Sequence, residues 1–129
     1  MTNINAMQTL LEIYMKNIDG IYKVDILGPF GWEDFSTAFI NAGDFRSASA
    51  EHFTAGTYEV EDCGFEMEGN LTQHVENRSL FGRKDIRGLP IKFRGRIEDD
   101  VIDGEARVPD ESRDSIRFRL RLNRLPFLN

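Results

Sequence analysis

The side chains with catalytic or metal-ligating potential in this 129-residue chain are few and scattered. The two histidines, His52 and His74, stand far apart without a His-x-x-x-His spacing, and Cys63 is the single cysteine, which excludes a Cys-x-x-Cys pair. A protein-held zinc or other catalytic metal needs three or four such donors converging on one point, so no metal or cofactor is expected. No glycine-rich phosphate loop or nucleophile elbow occurs. Glu66, Glu68, His74 and Glu76 read as the solvated face of a strand. Asp44 reads as a turn residue whose carboxylate bonds its own backbone, not as an acid-base catalyst. Cys63 sits among Glu61, Asp62 and Glu66, where negative charge disfavours a reactive thiolate, and is read as a small core or turn residue. These residues point away from an enzyme.

The order of the charges is more informative. From Glu51 to Glu76 the acids are Glu51, Glu59, Glu61, Asp62, Glu66, Glu68 and Glu76, with no Lys or Arg among them. From Arg78 to Arg96 the balance inverts: Arg78, Arg83, Lys84, Arg87, Lys92, Arg94 and Arg96 face Asp85 alone. Opposed blocks of this kind either pair across neighbouring strands or offer complementary surfaces to a partner. The trios Lys92, Arg94, Arg96 and Arg117, Arg119, Arg121 each occupy one face of a strand, a pattern that also suits phosphates. Against that, Asp103 and Glu105 lie on the intervening strand, and the net charge is −6 with a pI near 4.9, so direct nucleic-acid binding is not expected. Met1 to Asn5 carry no Lys or Arg, and Gln8, Thr9, Glu12 and Lys16 break up the apolar residues after them, unlike a secretory signal. No stretch reaches the roughly 18 consecutive apolar residues of a membrane-spanning helix. With one cysteine, these features predict a cytoplasmic protein.

Periodicity supplies the framework that carries these residues. Ala6, Met7, Leu10, Leu11, Tyr14 and Met15 recur at spacings of three and four, which predicts one short amphipathic helix over Asn5 to Lys16 within an N-terminal extension, 1–18. After Asp19-Gly20 the period becomes two, opening a single domain over 19–129. Tyr22, Val24 and Ile26 form one apolar face. Phe35, Thr37 and Phe39 are set against Ser36, Ala38 and Ile40. Phe45 to Ala48 is a short return strand, and Phe53 to Val60 comes next, interrupted by Gly56, which marks a bulge or a barrel corner. Phe65, Met67, Gly69 and Leu71 line the next strand. Three further alternations, through Ile91, Phe93, Gly95 and Ile97, through Ile102, Gly104, Ala106 and Val108, and through Ile116, Phe118, Leu120 and Leu122, form a meander. Glu76 to Gly88, around Leu80-Phe81-Gly82, is the longest irregular connection. About eight strands with one apolar face each exclude a parallel sheet. They predict a mainly β fold, an eight-stranded antiparallel barrel with one short N-terminal helix. Phenylalanines packed against Gly69, Gly95 and Gly104 suit its interior.

The order Gly20-Ile21-Tyr22-Lys23-Val24, Gly43-Asp44, Phe53-Thr54-Ala55-Gly56-Thr57-Tyr58-Glu59, Leu80-Phe81-Gly82, Phe93-Arg94-Gly95 and Asp103-Gly104-Glu105-Ala106 resembles the GrlR-like family of bacterial proteins, over roughly Asp19 to Arg124. The family's namesake is a negative regulator of type III secretion. The resemblance implies a lipocalin-like barrel that forms a homodimer and represses by protein contact, an acidic surface stretch engaging a transcriptional activator. The matching stretch here is Glu59-Val60-Glu61-Asp62, with Val60 interrupting the acids, so Glu59, Glu61 and Asp62 become the candidate partner-binding residues for a basic activator. A second reading is a carrier or sensor of a small apolar ligand, its wall formed by Tyr22, Phe35, Phe39, Phe65, Met67, Phe93 and Phe118, unless those side chains simply fill a closed core. Trp32 is expected over a barrel mouth.

Overall fold

The computed structural model describes residues 17–75, 79–109, 111 and 115–123. Eight strands, β1 (Gly20–Gly28), β2 (Gly31–Asn41), β3 (Asp44–Ala48), β4 (His52–Glu61), β5 (Gly64–Gln73), β6 (Leu89–Glu98), β7 (Val101–Arg107) and β8 (Ile116–Leu122), pair in chain order and close as β8 meets β1. Every pairing is antiparallel. The expected barrel is therefore present. The helix expected over Asn5 to Lys16 lies outside the described residues.

The period-two pattern is what closes the sheet. Phe65, Met67 and Leu71 of β5, Ile91 and Phe93 of β6, Ile102 and Ala106 of β7, and Phe118 and Leu120 of β8 all turn inward and are buried, while their sequence neighbours face out. Each large side chain so enclosed contributes roughly 1.5–3 kcal/mol relative to exposure. A one-residue slip of any strand would send its apolar set into water, so register and burial enforce each other.

One strand departs from strict alternation. The β1–β2 register shifts between Val24 and Asp25: Val24 lies opposite Ser36 and Asp25 opposite Asp34, leaving Phe35 as an extra residue. This bulge turns Phe35 and Ser36 together toward the interior, where both line the central void. Beyond it the phase is reversed, and Ala38 and Ile40 are buried while Phe39 is 50% exposed. Phe39, expected on the inner wall, belongs to the outer surface. Gly56, by contrast, sits in an unbroken register and marks a corner. It pairs with Gly69, and a Cβ there would collide with the Glu68 carbonyl oxygen. Gly104 pairs with Gly95 under the same constraint from the Arg94 carbonyl oxygen.

Both barrel ends are stopped. At one end the long connection after β5 is not merely irregular: Leu80, Phe81 and Ile86 are buried in the core. The connection is tied down by Gln73 N–H donating to the Ile86 carbonyl (2.8 Å) and Gly88 N–H donating to Thr72 Oγ1 (2.9 Å). At the other end the chain crosses before entering β1. Ile18 packs on the core, Tyr22 Oη donates to its carbonyl at 2.6 Å, and Asp19 Oδ1 accepts from Ala42 N–H at 3.0 Å and from Tyr58 Oη at 3.2 Å.

Candidate partner-binding surface

The outer face of the barrel from β5 round to β1 carries alternating columns of charge. Arg94 and Lys92 of β6 pair with Glu66 and Glu68 of β5 at 3.0 and 3.5 Å. Arg117 and Arg119 of β8 reach Asp103 of β7 at 3.0 and 3.9 Å. Arg121 reaches Asp25 of β1 at 2.8 Å, and Lys23 reaches Asp34 of β2 at 2.7 Å. The ammonium of Lys23 holds the Asp34 carboxyl below its ordinary range. The opposed charge blocks of the sequence meet across strands at Glu66–Arg94 and Glu68–Lys92, while Arg83, Arg87 and Arg96 pair instead with Glu111, Asp85 and Glu98. Trp32, expected over a mouth, instead lies on the outside against this ladder, with the Arg119 guanidinium 4.0 Å and the Arg117 guanidinium 5.8 Å from its ring centroid.

The tip of the β4–β5 hairpin is where compensation stops. Glu59 of β4 stands directly opposite Glu66 of β5, a like-charge cross-strand pair that is unfavourable in itself. Glu66 is taken by Arg94, and among the described residues no cation is paired with Glu59, Glu61 or Asp62. All three are exposed. Asp62 and Cys63 form the two-residue turn, Asp62 in the left-handed region with φ 55°. Cys63 is exposed there, in agreement with its reading as a turn residue.

Backbone geometry adds a second feature. The tip is braced on its β6 side, where Gly64 pairs with Arg96 and Ile97 N–H donates to the Cys63 carbonyl at 2.7 Å. On the opposite side β3 pairs no further than Asp44 with Thr57, after which Tyr58 N–H donates to the Gly43 carbonyl at 2.9 Å. Backbone groups alternate in direction along a strand. Two residues on, Val60 turns its N–H and C=O to that same side, beyond the end of β3. Among the described residues, the residue that interrupts the acidic run therefore sits on a short open edge of sheet, a position from which extended segments are commonly bound. Glu59 to Glu66 together with Arg94, Gly95 and Arg96 line a broad open groove of about 990 Å³ here.

The interior is different in kind. Phe35, Met67, Phe93 and Phe118 surround a void of only about 40 Å³, against roughly 300 Å³ or more for pockets that enclose small molecules. Phe35 and Phe118 meet edge to face with centroids 5.0 Å apart, as do Phe65 and Phe93 at 5.9 Å. Phe65 and Tyr22 are buried beside this void without lining it. His52, notable in the sequence only for lacking a partner histidine, is 2% exposed and stacks on Phe35 with centroids 4.5 Å apart. Its even spacing from Thr54 and Tyr58 is the sequence signal that it points inward. Among the described residues no group of three or more His, Cys, Asp or Glu is placed to hold a metal, and no helix is long and apolar enough to cross a membrane. No family model matches the sequence, and a comparison with curated proteins found no match.

Proposed function

We infer that this chain is a non-enzymatic, cytoplasmic regulatory protein of the GrlR-like kind, which acts as a homodimer by capturing a basic protein at the β4–β5 tip and so restrains expression of secretion or virulence genes. The observation that carries this reading is that, among the described residues, no cation is paired with Glu59, Glu61 or Asp62, whereas acids on β1, β2, β5 and β7 pair across strands. Three exposed carboxylates held on a rigid hairpin raise the association rate of a basic partner and select against acidic ones. A transcriptional activator fits because the surface it offers to DNA phosphates is the surface that an acidic tip competes for. Binding of a small apolar molecule inside the barrel would require Phe35, Met67, Phe93 or Phe118 to leave its packed position, which makes the carrier reading the weaker one.

Native mass spectrometry of the full chain from its own host tests the proposal, with the triple reversal Glu59→Lys, Glu61→Lys, Asp62→Lys as comparison. The expected result is a dimer that carries a basic DNA-binding protein, the complex weakening as salt is raised and disappearing in the reversed variant. Equal capture by both proteins overturns the role of the tip. A stoichiometric small-molecule adduct without a protein partner favours the carrier.

A further inference from the structure

The β1–β2 hairpin runs past the strand that flanks it. β2 starts at Gly31, yet its pairing with β3 begins only where Thr37 meets Ala48, so Gly31 to Ser36 pair with β1 alone among the described strands. Alternation fixes where their backbone groups point. Ile21 turns its carbonyl to Asn123 on the β8 side, so Tyr22, Val24, Ile26 and Gly28 turn theirs to β2, and their partners Ala38, Ser36, Glu33 and Gly31 face β1 in return. Trp32 and Asp34 therefore direct N–H and C=O away from β1 along an open edge, and among the described residues no backbone bond meets them. The turn that closes the hairpin is apolar. Phe30 is 99% exposed, and Leu27, directly opposite Trp32, is 39% exposed.

We propose that a second copy of the chain docks on this edge and tip, the two β2 strands pairing antiparallel about a two-fold axis. The proposal rests on the homodimer of the reading above and assigns its interface. Backbone chemistry argues for it, because two identical edges related by a two-fold can exchange the N–H and C=O groups that Trp32 and Asp34 leave open. Charge argues for it as well. Asp34 is already held by Lys23 at 2.7 Å, so the copies approach along neutralised edges. With Trp32 at the axis, Glu33 comes opposite Gly31 of the second copy and Asp34 opposite its Phe30, and no two acids stand face to face. The exposed Phe30 and Leu27 then gain an apolar cover at the centre of an interface, where aromatic residues concentrate.

The other open edge is unsuited to a copy. Val60 is flanked by Glu59 and Glu61, with which no cation is paired among the described residues, so two copies meeting there would set acid against acid. That edge fits a basic partner. The two edges also lie at opposite ends of the barrel, since the β1–β2 and β4–β5 turns are separated by an odd number of antiparallel strands. Pairing through β2 therefore leaves both acidic tips of the dimer free.

Sedimentation velocity of the full chain over a concentration series is the test, applied to the wild type, Phe30→Leu, Phe30→Asp and Asp34→Pro. Asp34→Pro removes the N–H that points away from β1 and leaves the β1–β2 ladder its bonds. The wild type and Phe30→Leu are expected to sediment as dimers. Phe30→Asp and Asp34→Pro are expected to raise the apparent dissociation constant by about tenfold or more. The urea midpoint of Phe30→Asp at the lowest concentration is expected to equal that of the wild type, which separates a lost interface from a lost fold. A wild-type dimer that Phe30→Asp leaves intact overturns the proposal while the homodimer stands. A wild type that is monomeric throughout overturns both. The triple variant Glu59→Lys, Glu61→Lys, Asp62→Lys is expected to stay dimeric, and its dissociation would move the interface to the other end of the barrel and overturn the proposal.

Discussion

Tyr22 shows how one side chain couples the barrel end to pH. Its ring is buried at 4% exposure and its hydroxyl donates to the Ile18 carbonyl. Burial, reinforced by the nearby Tyr58, Asp100 and Asp19, pushes its pKa from 10.0 up to about 12. Tyr58, also raised chiefly by burial, adds in the same direction. A phenol whose folded pKa lies above its unfolded value contributes stability that is whole below pH 10 and is lost as pH rises toward 12. Wild-type protein is expected to lose urea stability across that window, and Tyr22→Phe to lose markedly less. Unfolding curves taken at several pH values on either side of 10 check it, and parallel losses in the two proteins would refute it. The chemistry of this residue is not legible in the sequence: its inward direction comes from alternation, but the carbonyl it bonds lies on a crossing segment that periodicity does not describe.

At the level of elements, the glycine pairs set how closely strands can approach. Gly104 faces Gly95 across β6 and β7, and the backbone of Arg94 occupies the space a Cβ at Gly104 would need. Gly104→Ala is expected to destabilise the fold by about 1–3 kcal/mol, read as a lower urea midpoint with an unchanged slope. An equal midpoint would mean that the strands can part without penalty. All eight strands are legible in the sequence as period-two stretches bounded by turn residues. The inward side of β2 is not. Phe35, Thr37 and Phe39 look as good an apolar face as Ala38 and Ile40, and only the extra residue at the bulge decides between them. The consequence is confined to one residue of the expected wall, Phe39, because Phe35 precedes the phase change.

For the molecule as a whole, the long connection after β5 works as a stopper. Phe81 is buried and lines the central void, so Phe81→Ala removes a plug as well as a contact. The expected loss is about 3–5 kcal/mol. The void should then grow from about 40 Å³ to a size that admits a benzene-like molecule. Thermal unfolding with and without benzene measures both effects: the wild type is expected not to respond, the variant to gain stability. A wild-type response would show the barrel to be more open than its packing indicates.

Alternation along the chain was enough to establish the class of fold, because strict period-two burial with turn residues between short strands has few solutions other than a closed antiparallel sheet. Linear order also marked the acidic segment from Glu51 to Glu76, since a run without compensating cations is visible in one dimension, and the family resemblance narrowed it to Glu59, Glu61 and Asp62. Which acids stay uncompensated is settled in three dimensions: Glu66 and Glu68 lie beside Arg94 and Lys92 across strands, while the tip of β4 projects past the end of β3 and has no cation paired with its acids among the described residues. Charge pairing across a sheet depends on register, and register is the joint outcome of every strand burying its own face. The same holds for Phe39 and Phe53, which two separate strands bring to one outer surface.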